Sequence, residues 1–141
     1  MIRCVFDTNI ILAGLRSPTG ASRELLRRLG RKEIRVLASV PMLLEYEDVL
    51  KRPEHLRSTN LTLEDVDVFI ATVTTLIEPV PLYFLWRPQL RDPNDEIILE
   101  AAVNGQAQCI VTFNERDFRG GAHRFGIEVL RPADFLRRIL V

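Results

Sequence analysis

The chain has 141 residues, 47% of them hydrophobic, and its nineteen basic side chains balance nineteen acidic ones. That length suits one ordinary domain with a sizeable core, so a single domain over residues 1–141 is expected. A formal net charge of zero excludes a global field toward nucleic acid or an anionic membrane, so any cationic surface must be local.

Met1 to Phe6 reads as the first strand, because Ile2, Cys4, Val5 and Phe6 are apolar with little alternation. Such a run is expected where a parallel sheet is covered on both faces. Asp7-Thr8-Asn9 ends it. Ile10 to Leu15 reads as a short helical turn before the loop Ser17-Pro18-Thr19-Gly20. Ala21 to Leu29 reads as a helix stopped by Gly30, with Leu25, Leu26 and Leu29 inward and Arg23, Arg27, Arg28 and Arg31 outward. Ile34 to Ala38 is a second strand, and Ser39 with Pro41 signals a helix running to about Lys51, stopped by Arg52-Pro53.

Glu54 to Asn60 reads as a polar linker, and Thr62 as an N-cap with Asp65 three residues on. The helix that follows puts Val66, Phe69, Ile70, Val73 and Ile77 on one side. Pro79 and Pro81 end it, and Leu82-Tyr83-Phe84-Leu85-Trp86 is an aromatic-rich stretch held between prolines. Asp92-Pro93-Asn94-Asp95 opens a helix with Ile98, Leu99 and Ala102 inward, closing near Gly105. Cys109 to Thr112 is a strand, Asn114 begins a short helical turn through Phe118, and Gly120-Gly121 reads as a flexible loop. Ile127 to Leu130 is a last strand and Pro132 to Leu140 a last helix. Strands alternating with helices imply an α/β fold with right-handed crossovers and a mainly parallel sheet.

Cys4 and Cys109 fall inside strands without CxxC or Cys/His spacing, and so read as buried free thiols of a reducing compartment. No apolar run reaches the length of a bilayer span and no charged-then-apolar leader opens the chain, so a cytoplasmic protein without a membrane is expected.

Strand ends and helix starts share one edge of a parallel sheet and frame the ligand crevice, so Asp7, Asp95 and Asp117 can converge there. Glu45 lies a helical turn beyond Pro41. Carboxylates brought that close must share protons or bind a cation, and hard oxygen ligands select magnesium or manganese. Such an ion polarises a phosphoryl group and activates water, so phosphodiester hydrolysis is the implied chemistry. Each acid also has a plainer reading: Asp92, Pro93 and Asp95 form a capped helix start, and Asn114 with Asp117 repeats it. Asp7 has no capping duty evident from sequence.

Asp7-Thr8-Asn9 after an apolar strand, Leu43-Leu44-Glu45-Tyr46, Asp92-Pro93-Asn94-Asp95, and Thr112-Phe113-Asn114 with Asp117-Phe118 together resemble the PIN-domain ribonucleases. The resemblance spans nearly the whole chain and points to the group classed as toxins of bacterial type II toxin–antitoxin pairs. It implies a three-layer α/β/α fold with a mainly parallel central sheet, Mg2+- or Mn2+-dependent cleavage of RNA, a homodimer and a cognate antitoxin. Carried over by position, Asp7, Glu45, Asp95 and Asp117 are the acidic quartet, with Asp7, Asp95 and Asp117 on the metal. Asn9, Thr112 and Asn114 support them, and either Asp92 or Asp95 faces the metal. Many relatives carry an acid where Asn114 stands.

Only Lys32 and Lys51 are lysines, so seventeen of the nineteen cations are arginines, which suit phosphate but equally follow a GC-rich coding bias. Arg16, Arg23 and Arg27 could guide an RNA backbone or simply solvate a helix face. Val66, Phe69, Ile70 and Val73 with Tyr83, Phe84 and Trp86 could form a partner surface or pack in the core. A haloacid-dehalogenase-type phosphatase would need an acid where Asn9 stands, and GxGxxG and P-loop patterns are absent. The rival of another class is a catalytically inactive PIN-like module that binds RNA or protein.

Overall fold

The structure, a computed structural model, describes residues 1–84 and 89–140. Among these, five strands form one sheet: β1 (Arg3–Phe6), β2 (Arg35–Ala38), β3 (Glu78–Pro79), β4 (Cys109–Val111) and β5 (Glu128–Leu130). Their order is β3-β2-β1-β4-β5, with every pairing parallel. The helices are α1 (Thr8–Arg16), α2 (Ala21–Gly30), α3 (Val40–Leu50), α4 (Pro53–Thr59), α5 (Leu63–Leu76), α6 (Pro93–Asn104), α7 (Glu115–Arg124) and α8 (Pro132–Ile139).

The chain steps outward from β1 through β2 to β3, then turns back past β1 to β4 and β5. With right-handed crossovers that reversal puts α1 to α5 on one face of the sheet and α6 and α7 on the other. Helix α6 packs on α7, and α8 returns to α2. The result is a three-layer α/β/α arrangement. Its order reverses between β1 and β4, where open α/β sheets hold their ligands.

The strands are short and apolar because both faces are covered: Cys4, Val5, Phe6, Val36, Leu37, Ala38, Ile110 and Val111 are all buried. Ile98, Leu99 and Phe118 close one face, and Ile10, Leu25, Met42 and Val66 belong to the same core. Tyr46 on α3 is buried too, and its hydroxyl donates to the Phe6 carbonyl at the end of β1, 2.5 Å away. Tyr46→Phe keeps the ring and strands that carbonyl, at a cost of about 1 kcal/mol. A thermal melt should show a loss of roughly 3 °C.

Four local expectations are corrected. Ile10 to Leu15 belongs to a full nine-residue helix beginning at Thr8. The expected polar linker is the seven-residue helix α4. Pro53 at its first position presets the helical backbone, Leu56 packs against the core, and left-handed Asn60 at φ 58° ends it. Glu78-Pro79 forms an edge strand, where a proline can stand because one side needs no donor.

Gly120-Gly121 is no flexible loop, since α7 runs through both residues. A Cβ on Gly121 would lie 2.7 Å from Leu90 Cδ2 and 3.1 Å from Leu99 Cδ2. A Cβ there would have to push the end of a leucine side chain aside, so α7 packs closely at Gly121 despite the poor helix propensity of glycine.

Of the aromatic stretch, Leu85 and Trp86 lie outside the described residues. Tyr83 and Phe84 donate their amides to Asn104 Oδ1, which ties them to the end of α6. Cys4 and Cys109 are buried free thiols paired across β1 and β4, and burial pushes the Cys4 thiol well above its ordinary pKa. No helix among the described residues is long and apolar enough to cross a membrane.

Candidate functional site

The β1–β4 register pairs Phe6 with Val111, so Asp7 and Thr112 emerge side by side at the sheet's carboxyl edge. Asp7 turns out to cap α1, with Oδ1 accepting the Thr8 amide at 2.7 Å. Its Oδ2 accepts the Thr112 hydroxyl at 2.7 Å, while that hydroxyl accepts the Asn114 amide at 2.9 Å. One buried threonine thus links the ends of β1 and β4 to the start of α7. Asp7 is 7% exposed, and burial raises its pKa even though both hydrogen bonds pull the other way. The charges of Asp92 and Asp117 push it further up.

Asp92 caps α6 through Oδ1, which accepts the Asn94 amide at 2.9 Å, and Pro93 follows at the first helical position. Asp95, in the first turn, is half-buried and has no side-chain hydrogen bond among the described residues. Burial, then the charges of Asp7, Asp92, Asp117 and Glu96, push its carboxyl up to about 7. Asp117 stands exposed in the first turn of α7. Asn114 precedes that helix without a side-chain cap bond, so the expected second capping motif does not form.

Glu45 is half-buried on α3; burial raises its pKa first, Asp48 next, with Arg52 opposing and Asp92 and Asp7 adding smaller pushes. Asp7, Asp92, Asp95 and Asp117 therefore share one electrostatic neighbourhood, with Glu45 at its margin. Among the described residues none of the five is ion-paired. Nor do any three Asp, Glu, His or Cys side chains among the described residues stand close enough together to hold a metal ion as they are placed. Oxygen donors whose charges raise the proton affinity of Asp7 and Asp95 suit a hard divalent cation that keeps much of its water. Two residues beyond Asp7, the buried Oδ1 of Asn9 has no hydrogen-bond partner among the described residues, which leaves another oxygen free.

Asp92, Asp95 and Asp117 line a cleft of about 460 Å³ together with Arg91, Arg116 and Arg124; Asp7 and Glu45 lie outside its lining. These arginines were not among the sequence candidates. Of those that were, Arg23 and Arg27 donate to the carbonyls of Ser17 and Pro18 at 3.1 and 3.0 Å, and so brace the α1–α2 loop. Arg16 is exposed at the end of α1.

Glu96 was also missed. Its buried Oε1 accepts the amides of Gln89 and Leu90 at 2.5 and 2.7 Å, and Gln89 in turn accepts Arg124 at 2.6 Å. That carboxylate pins the cleft wall. The available signal was its helical spacing: Glu96 shares a face with Leu99, Glu100 and Val103, and a carboxylate on an apolar face must have donors.

The family described as PIN domain matches this sequence over residues 3–116. No curated protein matches it. Among solved structures, the crystal structure of VapBC2 from Rickettsia felis, bound to a DNA fragment from its promoter, is similar with a TM-score of 0.61. At 16% identity, the likeness covers 92% of this chain and 98% of the other.

Proposed function

Because this chain belongs to the PIN-domain family, we propose that it is a ribonuclease that hydrolyses RNA phosphodiester bonds and acts as the toxin of a type II toxin–antitoxin pair. The observation that carries the reading is the un-neutralised acidic edge, where burial and three neighbouring aspartates hold Asp95 at a pKa of about 7. Asp7, Asp95 and Asp117 would hold Mg2+ or Mn2+. Asp95 is preferred to Asp92 because it is half-buried with neither carboxylate oxygen hydrogen-bonded among the described residues, whereas Asp92 stands exposed. Bound there, the ion supplies charge stabilisation to the phosphoryl oxygens and aligns the displacement.

The chain's own residues do the rest. Thr112 fixes the Asp7 carboxylate from below. Glu45, with its proton affinity raised, takes a proton from the attacking water. Arg91, Arg116 and Arg124 meet the phosphate backbone in the cleft. Asn9, whose Oδ1 has no partner among the described residues, and Asn114, whose amide bonds the Thr112 hydroxyl, support the acids from outside its lining. The VapBC2 likeness supports a cognate antitoxin. A homodimer is proposed on the PIN-domain resemblance alone, and the cytoplasm as its place of action.

The test incubates purified protein with single-stranded and duplex RNA in Mn2+, Mg2+ or EDTA. Cleavage that requires the divalent ion is expected. RNA binding without cleavage under every condition would replace hydrolase with binding module. Thr112→Val removes the hydroxyl that orients Asp7 and keeps the shape, so initial rates should fall about 10- to 100-fold. Thr112→Ser should recover most of that loss; equal rates in the valine variant and the parent would remove Thr112 from the site.

A further inference from the structure

A second hollow, of about 410 Å³, lies beside the acidic cleft, and Arg116 and Asp117 line both. Its distinctive side chain is Phe113, which directly follows the threonine that holds Asp7. Val111 and Thr112 are fully buried, yet the Phe113 ring turns outward and stays 37% exposed. The Arg131 guanidinium lies 5.6 Å from the ring centroid, within cation–π reach. Glu115 steadies that rim, 3.8 Å from both Arg131 and Arg119. Arg116 has no ion pair among the described residues, so its charge is available to a ligand.

We propose that this hollow is a subsite for one unpaired base of an RNA strand, stacked on Phe113, with an adjacent phosphate held by Arg116 on the ridge shared with the acidic cleft. The inference deepens the ribonuclease reading and rests on it. An exposed aromatic ring offers a surface to any base, because every base has a π-face, and arginine planes extend that surface. Three arginines against Glu115 and Asp117 leave the hollow cationic, as a phosphate requires. Bases inside a duplex are already stacked and cannot enter, so the subsite selects unpaired RNA.

The test is binding in EDTA, without turnover, of single-stranded oligoribonucleotides carrying 2-aminopurine at successive positions. One position should be quenched on binding. Phe113→Ala should abolish that quench and weaken affinity roughly 5- to 150-fold, whereas Phe113→Trp should retain both. Arg116→Ala should weaken binding and lower the salt slope by about one while the quench persists. Parental affinity in Phe113→Ala, quenching at no position, or no RNA binding by the parent would each overturn the subsite. The two readings fail separately: a parent that shows the Phe113-dependent quench but never cleaves loses only the ribonuclease assignment. A parent that cleaves, with Phe113→Ala matching it in Kd and KM, loses only the base site.

Discussion

Asp7→Asn is expected to lower RNA cleavage at least about a hundredfold while the chain stays folded. The several kcal/mol that a held cation contributes to a phosphoryl transition state correspond to such a factor, at about 1.4 kcal/mol per tenfold. The carboxylate accepts from Thr8 on one oxygen and from Thr112 on the other. Asparagine can accept on only one side; with its oxygen on the Thr8 amide, its NH2 turns the Thr112 hydroxyl from donor to acceptor and leaves that hydroxyl proton without the carboxylate. The variant thus loses charge and geometry together. Relief from the nearby Asp92 and Asp117 charges offsets part of the misfit, so the melting temperature should move little. Rates measured beside circular dichroism separate the two effects. A purified Asp7→Asn protein that cleaves like the parent would remove Asp7 from the chemistry.

Asp95→Asn should raise stability in metal-free buffer at pH 8 and leave it unchanged near pH 4. The folded carboxyl titrates at about 7 against an ordinary 3.8, so the folded chain binds this proton more tightly than the unfolded chain. Its stabilising share is complete below about pH 4 and is lost as pH rises to about 7. Asp95 is half exposed, so solvent screening reduces the full linkage value. The aspartate's favourable place in the first turn of α6 also opposes the gain. About 1–2 kcal/mol should survive, or roughly 3–7 °C in a melt. Asp7 and Asp95 repel each other, so relief of Asp7 is part of the gain in the variant. Added Mn2+ should stabilise the parent more than the variant. A lower melting temperature for Asp95→Asn in EDTA at pH 8 would contradict the repulsion.

Much of the fold was legible because its signals are local. Ser39 caps α3 by accepting the Met42 amide, and Thr62 with Asp65 closes the capping box of α5; both follow from spacing alone. The buried strands announced themselves as unbroken apolar runs. So did the placement of Asp7 after β1, and of Asp92, Asp95 and Asp117 at helix starts, since strand ends and helix N-termini meet at one edge in any parallel sheet.

What the sequence determined by itself was therefore the element order apart from α4 and β3, the parallel class and the candidate acids. Tertiary structure decided which groups touch. Helix α4 rests on Leu56 reaching the core, and α7 runs through Gly120-Gly121 with Gly121 packed closely against Leu90 and Leu99. Glu96 finds its donors only when the loop at Gln89 and Leu90 folds over it. Asp7 and Thr112 stand 105 positions apart in sequence and meet only through the β1–β4 register, and the carboxyl of Asp95 reaches about 7 only once its neighbours arrive. Caps and periodicity act over three or four residues, whereas pairing, desolvation and charge repulsion depend on distances in space that no local pattern encodes.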